Sequence, residues 1–230
     1  MLKSKKHIVY TVLAAFFITN AVLGEMIGGK LIQIGPFTMS MGILPWPIVF
    51  LATDIINEYF GKQGVRRLTF LAAIMILYAL IIIFLGMGIP ASSISPVSDE
   101  QYRGVFGQSM WIIAGSLTAF LTSQFVDVFI FWFLRSKTGN KKIWLRATGS
   151  TAISQLIDTF IVGGIAFWLP GKISFASYLN MSATGYTAKL LLAVLLTPLI
   201  YLGHKLIHGY IGPAESEDII DKTAEEELAQ

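Results

Sequence analysis

The sequence predicts an all-α integral membrane protein, a bundle of six transmembrane helices with N and C termini cytoplasmic. Three observations carry that expectation. Hydrophobic residues make up 54% of the 230-residue chain and charged residues 13%, against about 25% charged in soluble domains, and the mean hydropathy is +0.67. Apolar runs recur along the chain, each near the ~20 residues needed to cross ~30 Å of hydrocarbon. Lys and Arg also alternate between connections, as the positive-inside rule requires. One side receives Lys3, Lys5, Lys6, Lys62, Arg66, Arg67, Arg135, Lys137, Lys141, Lys142, Arg146 and Lys205, and the other only Lys30, Arg103 and Lys172. Twelve against three makes these residues topology determinants. The net charge of +3 is too small to argue for nucleic-acid binding. The absence of cysteine removes disulfides, thiolate zinc sites and cysteine nucleophiles together.

The first span runs from Ile8 to about Gly24 behind Lys3, Lys5, Lys6 and His7. A basic end before an apolar run resembles a signal peptide, but no small-residue cleavage site follows, so the span reads as uncleaved. Lys30 to Ser40 is irregular, with a turn at Gly35-Pro36, and reads as a short extended or re-entrant segment. Pro45-Trp-Pro47 kinks or starts the second span, Met41 to Tyr59. The third covers Leu68 to Met87 without a charge. A link from Gly88 to Gln108 precedes the fourth, Ser109 to Leu134. The fifth covers about Leu145 to Leu169 and the sixth Met181 to Leu202. The domain organisation is then a membrane domain over residues 1–208 and a tail over 209–230. After Pro213 the tail holds seven acids, one lysine and little apolar content, which predicts disorder.

Polar residues inside the spans are few. Asp54, Asn57 and Glu58 stand at i, i+3 and i+4, so on a helix they share a face. A carboxylate in the middle of a membrane helix costs about 2.5–3.5 kcal/mol on insertion scales, so the combination points to a polar cavity, a cation or a hydrogen-bonding solute. Glu58, one turn nearer the cytoplasm than Asp54, is expected to be partly hydrated. Ser123-Gln124-Phe-Val-Asp127-Val-Phe129-Ile130 matches Ser154-Gln155-Leu-Ile-Asp158-Thr-Phe160-Ile161 at five of eight positions. The two copies sit on helices of opposite direction, an inverted repeat of the kind that builds central binding sites. Interhelical hydrogen bonding is the plainer reading of the glutamines. Tyr186 and Lys189 lie in the sixth span. Lys189 either snorkels to the interface or pairs with Asp158 or Asp127 and keeps that acid ionised; the pair is favoured. Trp46, Trp132, Tyr59 and Tyr201 are candidates for stacking on a ring or for interfacial belts.

Other chemistries are weak here. Gly86-Met-Gly88 and Gly163-Gly164 are not phosphate loops. His204 and His208 are four apart, with no third metal ligand. Two aspartates on adjacent helices suggest an intramembrane aspartyl protease, but neither lies in a Gly-x-Gly-Asp context. No catalytic residue, metal or cofactor is expected.

Leu51-Ala-Thr-Asp54, Gln124 with Asp127 before Arg135, Ser150-Thr151 with Asp158-Thr159, Ile165-Ala-Phe-Trp168 and Lys189 resemble the queuosine precursor transporter family. That family is a vitamin uptake transporter group related to the substrate-binding components of energy-coupling-factor importers. The likeness covers about residues 8–208. It implies an inner-membrane importer of 7-cyano-7-deazaguanine or 7-aminomethyl-7-deazaguanine for tRNA queuosine salvage, with Asn57 and Glu58 as tuning residues. Such a cargo suits the polar residues. A guanine-type edge donates from N1 and its 2-amino group to carboxylates and accepts at O6 from Gln or Lys, while aromatics cover the ring faces. The implied partners are the deazapurine and the bilayer, and a homo-oligomer is compatible with the chain. The alternative is a binding subunit for another small heterocyclic vitamin, which would draw on a separate ATPase module because the chain has no nucleotide-binding motif.

Overall fold

The computed structural model describes residues 4–35, 37–108, 110–139 and 142–229. Lys3, Pro36, Ser109 and Lys141, used in the reading above, lie outside the described residues. Helix α1 (Lys5–Ile27) is capped by Ser4, whose hydroxyl accepts from the His7 amide. Strands β1 (Leu31–Ile34) and β2 (Phe37–Ser40) follow as an antiparallel hairpin. Among the described residues, this hairpin is the one departure from helical elements.

Helix α2 (Trp46–Met87) merges the expected second and third spans. As a straight rod it would be about 63 Å long, twice the hydrocarbon thickness. It is not straight: Gly61 adopts φ 69°, ψ −174°, a conformation that disfavours any side chain. The chain folds back there. Gly64 lies so close to Ile56 that a β-carbon on it would be 3.3 Å from the Ile56 methyl, whereas eight residues of continuous helix separate two positions by ~12 Å. Both arms share one buried cluster with α1, made by Phe17 and Ala21 with Val49, Ala52 and Ile56 of the first arm and Leu68, Ala72 and Ile76 of the second. The second arm starts at Lys62, earlier than the expected Leu68.

A short helix α3 (Asp99–Phe106), closed by a Ser98/Gln101 capping box, sits in the link. Helices α4 (Met110–Thr138) and α5 (Ile143–Gly163) form an antiparallel pair. Gly115 meets Ala166 at one end and Gly149 meets Leu134 at the other. A π-helical turn, Gly164–Trp168, extends α5. Helix α6 (Phe175–Ile211) runs well beyond the span expected for it. Among the described residues, five helices (α1, α2, α4, α5 with its π turn, and α6) are long and apolar enough to cross a membrane. Large apolar side chains such as Ile74, Ile81, Phe129, Leu191 and Leu195 face outward, as a lipid-facing surface requires. The chain is a multi-pass membrane protein.

The acidic tail is not disordered. It forms helix α7 (Pro213–Leu228), with Pro213 in the first turn. Ile219 joins a cluster with Val9, Ile55, Tyr59, Ile207 and Ile211. Most of the docking is polar: the Thr223 hydroxyl donates to the Tyr59 carbonyl at 3.3 Å and the Lys62 amide donates to Glu227 Oε1 at 2.7 Å. The Glu227 carboxylate occupies the space that a β-carbon on Gly61 would need.

Candidate functional site

The first arm of α2, α5 and α6 enclose a cavity of about 410 Å³, within the range of small-molecule sites. Its walls are mostly apolar, with Phe50, Leu51, Leu192 and Leu196 among them, and Ile34 of the hairpin at its rim. Trp46 lines it too and stacks on Phe50 at 6.2 Å and 20°. Its polar groups are Asp54 from α2, Thr148, Thr151 and Gln155 from α5, and Lys189 from α6. Asp54 and Gln155 are 4% and 2% exposed. Asp54 Oδ1 and both polar atoms of the Gln155 amide are buried without a hydrogen-bond partner. Buried polar atoms are nearly always paired, and these three atoms are exceptions on two residues that line one cavity.

The remaining predicted site residues lie elsewhere. Glu58 is only 2% exposed, which corrects its expected hydration. Its carboxylate meets Arg135 Nη1 at 2.7 Å and Arg146 Nη2 at 2.9 Å. The two guanidiniums lie over the rings of Trp132 at 5.3 Å and Phe131 at 5.7 Å. Arg135 and Arg146, assigned above only to topology, are thus buried structural ions. Asn57 accepts from the Trp132 indole at 3.3 Å, and Gln124 accepts from the Thr53 hydroxyl at 3.3 Å. Asp127 accepts from the Ser154 hydroxyl at 3.0 Å. Asp158 pairs with Lys189 at 2.7 Å, the favoured reading of that lysine. Tyr186 is half-buried on α6 and is not part of the cavity lining.

The inverted repeat is therefore unequal in use: Gln155 faces the cavity while Gln124 is bonded inside the bundle. Of the aromatic candidates, Trp46 is at the cavity, Trp132 belongs to the ion cluster and Tyr59 lies under α7. Thr148 and the aliphatic wall of α6 were not singled out from sequence. Their only signal was the face that they share with Gln155 and Lys189.

Comparison with known proteins finds likenesses in sequence. A family model described as "Putative vitamin uptake transporter" matches residues 40–203. A "Probable queuosine precursor transporter" of Bacillus subtilis (strain 168) is 30% identical over 77% of this chain and 77% of its own. One of Haemophilus influenzae with the same description is 26% identical, over 70% of this chain and 66% of its own. A "Queuosine precursor transporter" of Escherichia coli (strain K12) is 29% identical over 69% of each chain. No solved structure matches. With the matched segment running from the last residue of the hairpin into α6, and so holding every polar residue of the cavity, the chain belongs to the vitamin uptake transporter family.

Proposed function

We propose that the chain imports a 7-deazaguanine queuosine precursor, 7-cyano-7-deazaguanine or 7-aminomethyl-7-deazaguanine, across the cytoplasmic membrane. The observation that carries this reading is that Asp54 and Gln155, which line one cavity, both hold polar atoms without a partner. A carboxylate accepts from the N1–H and 2-amino donors of a guanine-type edge, and an amide or the Lys189 ammonium donates to O6. The Trp46–Phe50 stack supplies an aromatic wall for the ring. The names of the relatives point to the same cargo. Asn57, Glu58, Gln124, Asp127, Asp158 and Tyr186 act here from outside the cavity, by holding the helices that present Asp54, Gln155 and Lys189. Counting the two arms of α2 separately gives six crossings with cytoplasmic termini, and α7 then lies on the cytoplasmic face. No specific observation favours the alternative, a vitamin-binding subunit with an ATPase module.

Competition binding to the purified protein tests the reading. Both deazaguanines and guanine should displace the labelled precursor, because all three share the donor pair that Asp54 accepts. Adenine lacks that pair and should not. Equal displacement by adenine would remove Asp54 and Gln155 from base recognition.

A further inference from the structure

A second cavity, of about 460 Å³, lies between the second arm of α2, α4 and the end of α7. It shares no lining residue with the first. Its α4 wall is apolar and faces outward, with Phe129 68% exposed and Phe125 and Phe133 also exposed. The α2 wall carries Lys62, Arg66 and Thr69. These stand at i, i+4 and i+7, on one face of the helix. Lys62 is matched by Glu227 of α7 at 3.3 Å and lies over the Trp132 ring at 5.6 Å. Arg66 is not matched. Among the described residues no carboxylate pairs with it, and its guanidinium lies over the Phe70 ring at 5.9 Å. Thr69 is only 1% exposed, and its hydroxyl has no hydrogen-bond partner, which is rare for a buried polar atom.

The groove therefore offers a surplus cation where the arm enters the membrane. A spare hydroxyl follows about 4.5 Å further along the helix, and an apolar wall lies open to hydrocarbon. A phospholipid presents the complementary groups in the same order: phosphate, ester carbonyl, acyl chain. We propose that this groove binds an anionic phospholipid. Its phosphate meets Arg66, its ester carbonyl accepts from Thr69, and its acyl chain lies along Phe125 and Phe129. A guanidinium presents paired N–H donors that suit phosphate oxygens. Lys62 and Glu227 offset each other, so the groove carries one net positive charge and selects a net negative headgroup over a zwitterionic one. With the topology proposed above, the charged end lies at the cytoplasmic leaflet, where basic residues attract anionic headgroups.

The full chain in detergent is titrated with phosphatidylglycerol and with phosphatidylcholine of the same acyl chains, and bound lipid is read by native mass spectrometry. Phosphatidylglycerol should be held about fivefold more tightly, as one arginine near an anionic headgroup warrants. Equal retention of the two lipids would overturn the proposal. Arg66→Gln should remove the preference and leave the melting temperature unchanged, because Arg66 is exposed and pairs with no carboxylate. A preference that survives this change would place the anionic site elsewhere. Thr69→Val, close in shape, should weaken both lipids alike, since both carry the ester. Retention of both at wild-type strength would count against a lipid in this groove. Excess inorganic phosphate should leave the lipid bound, because the acyl chain is part of the hold. Full displacement would make the groove a site for a free anion instead. No arm of the experiment involves the cargo, so its failure leaves the transport reading standing.

Discussion

Asp54 and Glu58 stand one helical turn apart on the same face of α2 and are equally hidden, at 4% and 2% exposure, yet their surroundings are opposite. Glu58 is clamped by two arginines. Asp54 Oδ1 has no partner and borders a cavity. Burial of a charge in a membrane bundle is thus not by itself a sign of function, and completeness of pairing separates the two cases. Glu58 joins helices through its ion pairs, whereas Asp54 keeps an unpaired acceptor.

The sharpest way to break this contrast is Glu58→Gln. Removing one member of a buried ion cluster strands the others, at about 3–5 kcal/mol. The variant should lose folded protein in detergent, read as a fall in monodisperse yield and melting temperature; a stable variant would show that the arginines do not depend on Glu58. Asp54→Asn should do the reverse, keeping yield and melting temperature while affinity for the precursor falls at least tenfold, or ~1.4 kcal/mol. The amide replaces one acceptor with a donor that faces a donor on the base. Salvage at wild-type level in cells unable to make the precursor, at matched protein, would take Asp54 out of the site. Lys189→Met should be intermediate in kind. It removes a cavity donor and the partner of a half-buried acid, so uptake should fall several-fold, by an energy of about 1 kcal/mol, with little loss of fold. Wild-type uptake would reduce Lys189 to a tether. Glu227→Ala should have the smallest effect on transport. It removes the acceptor of the Lys62 amide and an ion pair at 3.3 Å, costing about 1 kcal/mol, and should show as faster proteolysis of α7 with binding unchanged.

Asp54, Gln155 and the Lys189–Asp158 pair were legible because intramembrane polar residues are rare and helical spacing puts them on shared faces. The fate of Glu58 was not, because Arg135 and Arg146 sit at helix ends where basic residues also serve topology, and only the packing of α4 on α5 turns them inward. The tail was misread for a related reason. Ser216, Ile219, Thr223 and Glu227 form its buried stripe, and three of these four are polar, so a test for apolar content passes over a helix that docks by hydrogen bonds. The reversal between the second and third spans was expected from their count, but its tightness was not: a connection expected over residues 60–67 is made at Gly61 alone.

That reversal has a mechanical consequence. A connection of one residue has no slack: sliding one arm past the other by a single helical turn would require ~5.4 Å of additional chain, and Gly61 has none to release. The two arms can change their mutual tilt but not their axial register. Relative motion of the two arms is therefore angular at this corner, with the glycine as its pivot and the Glu227 carboxylate resting against it.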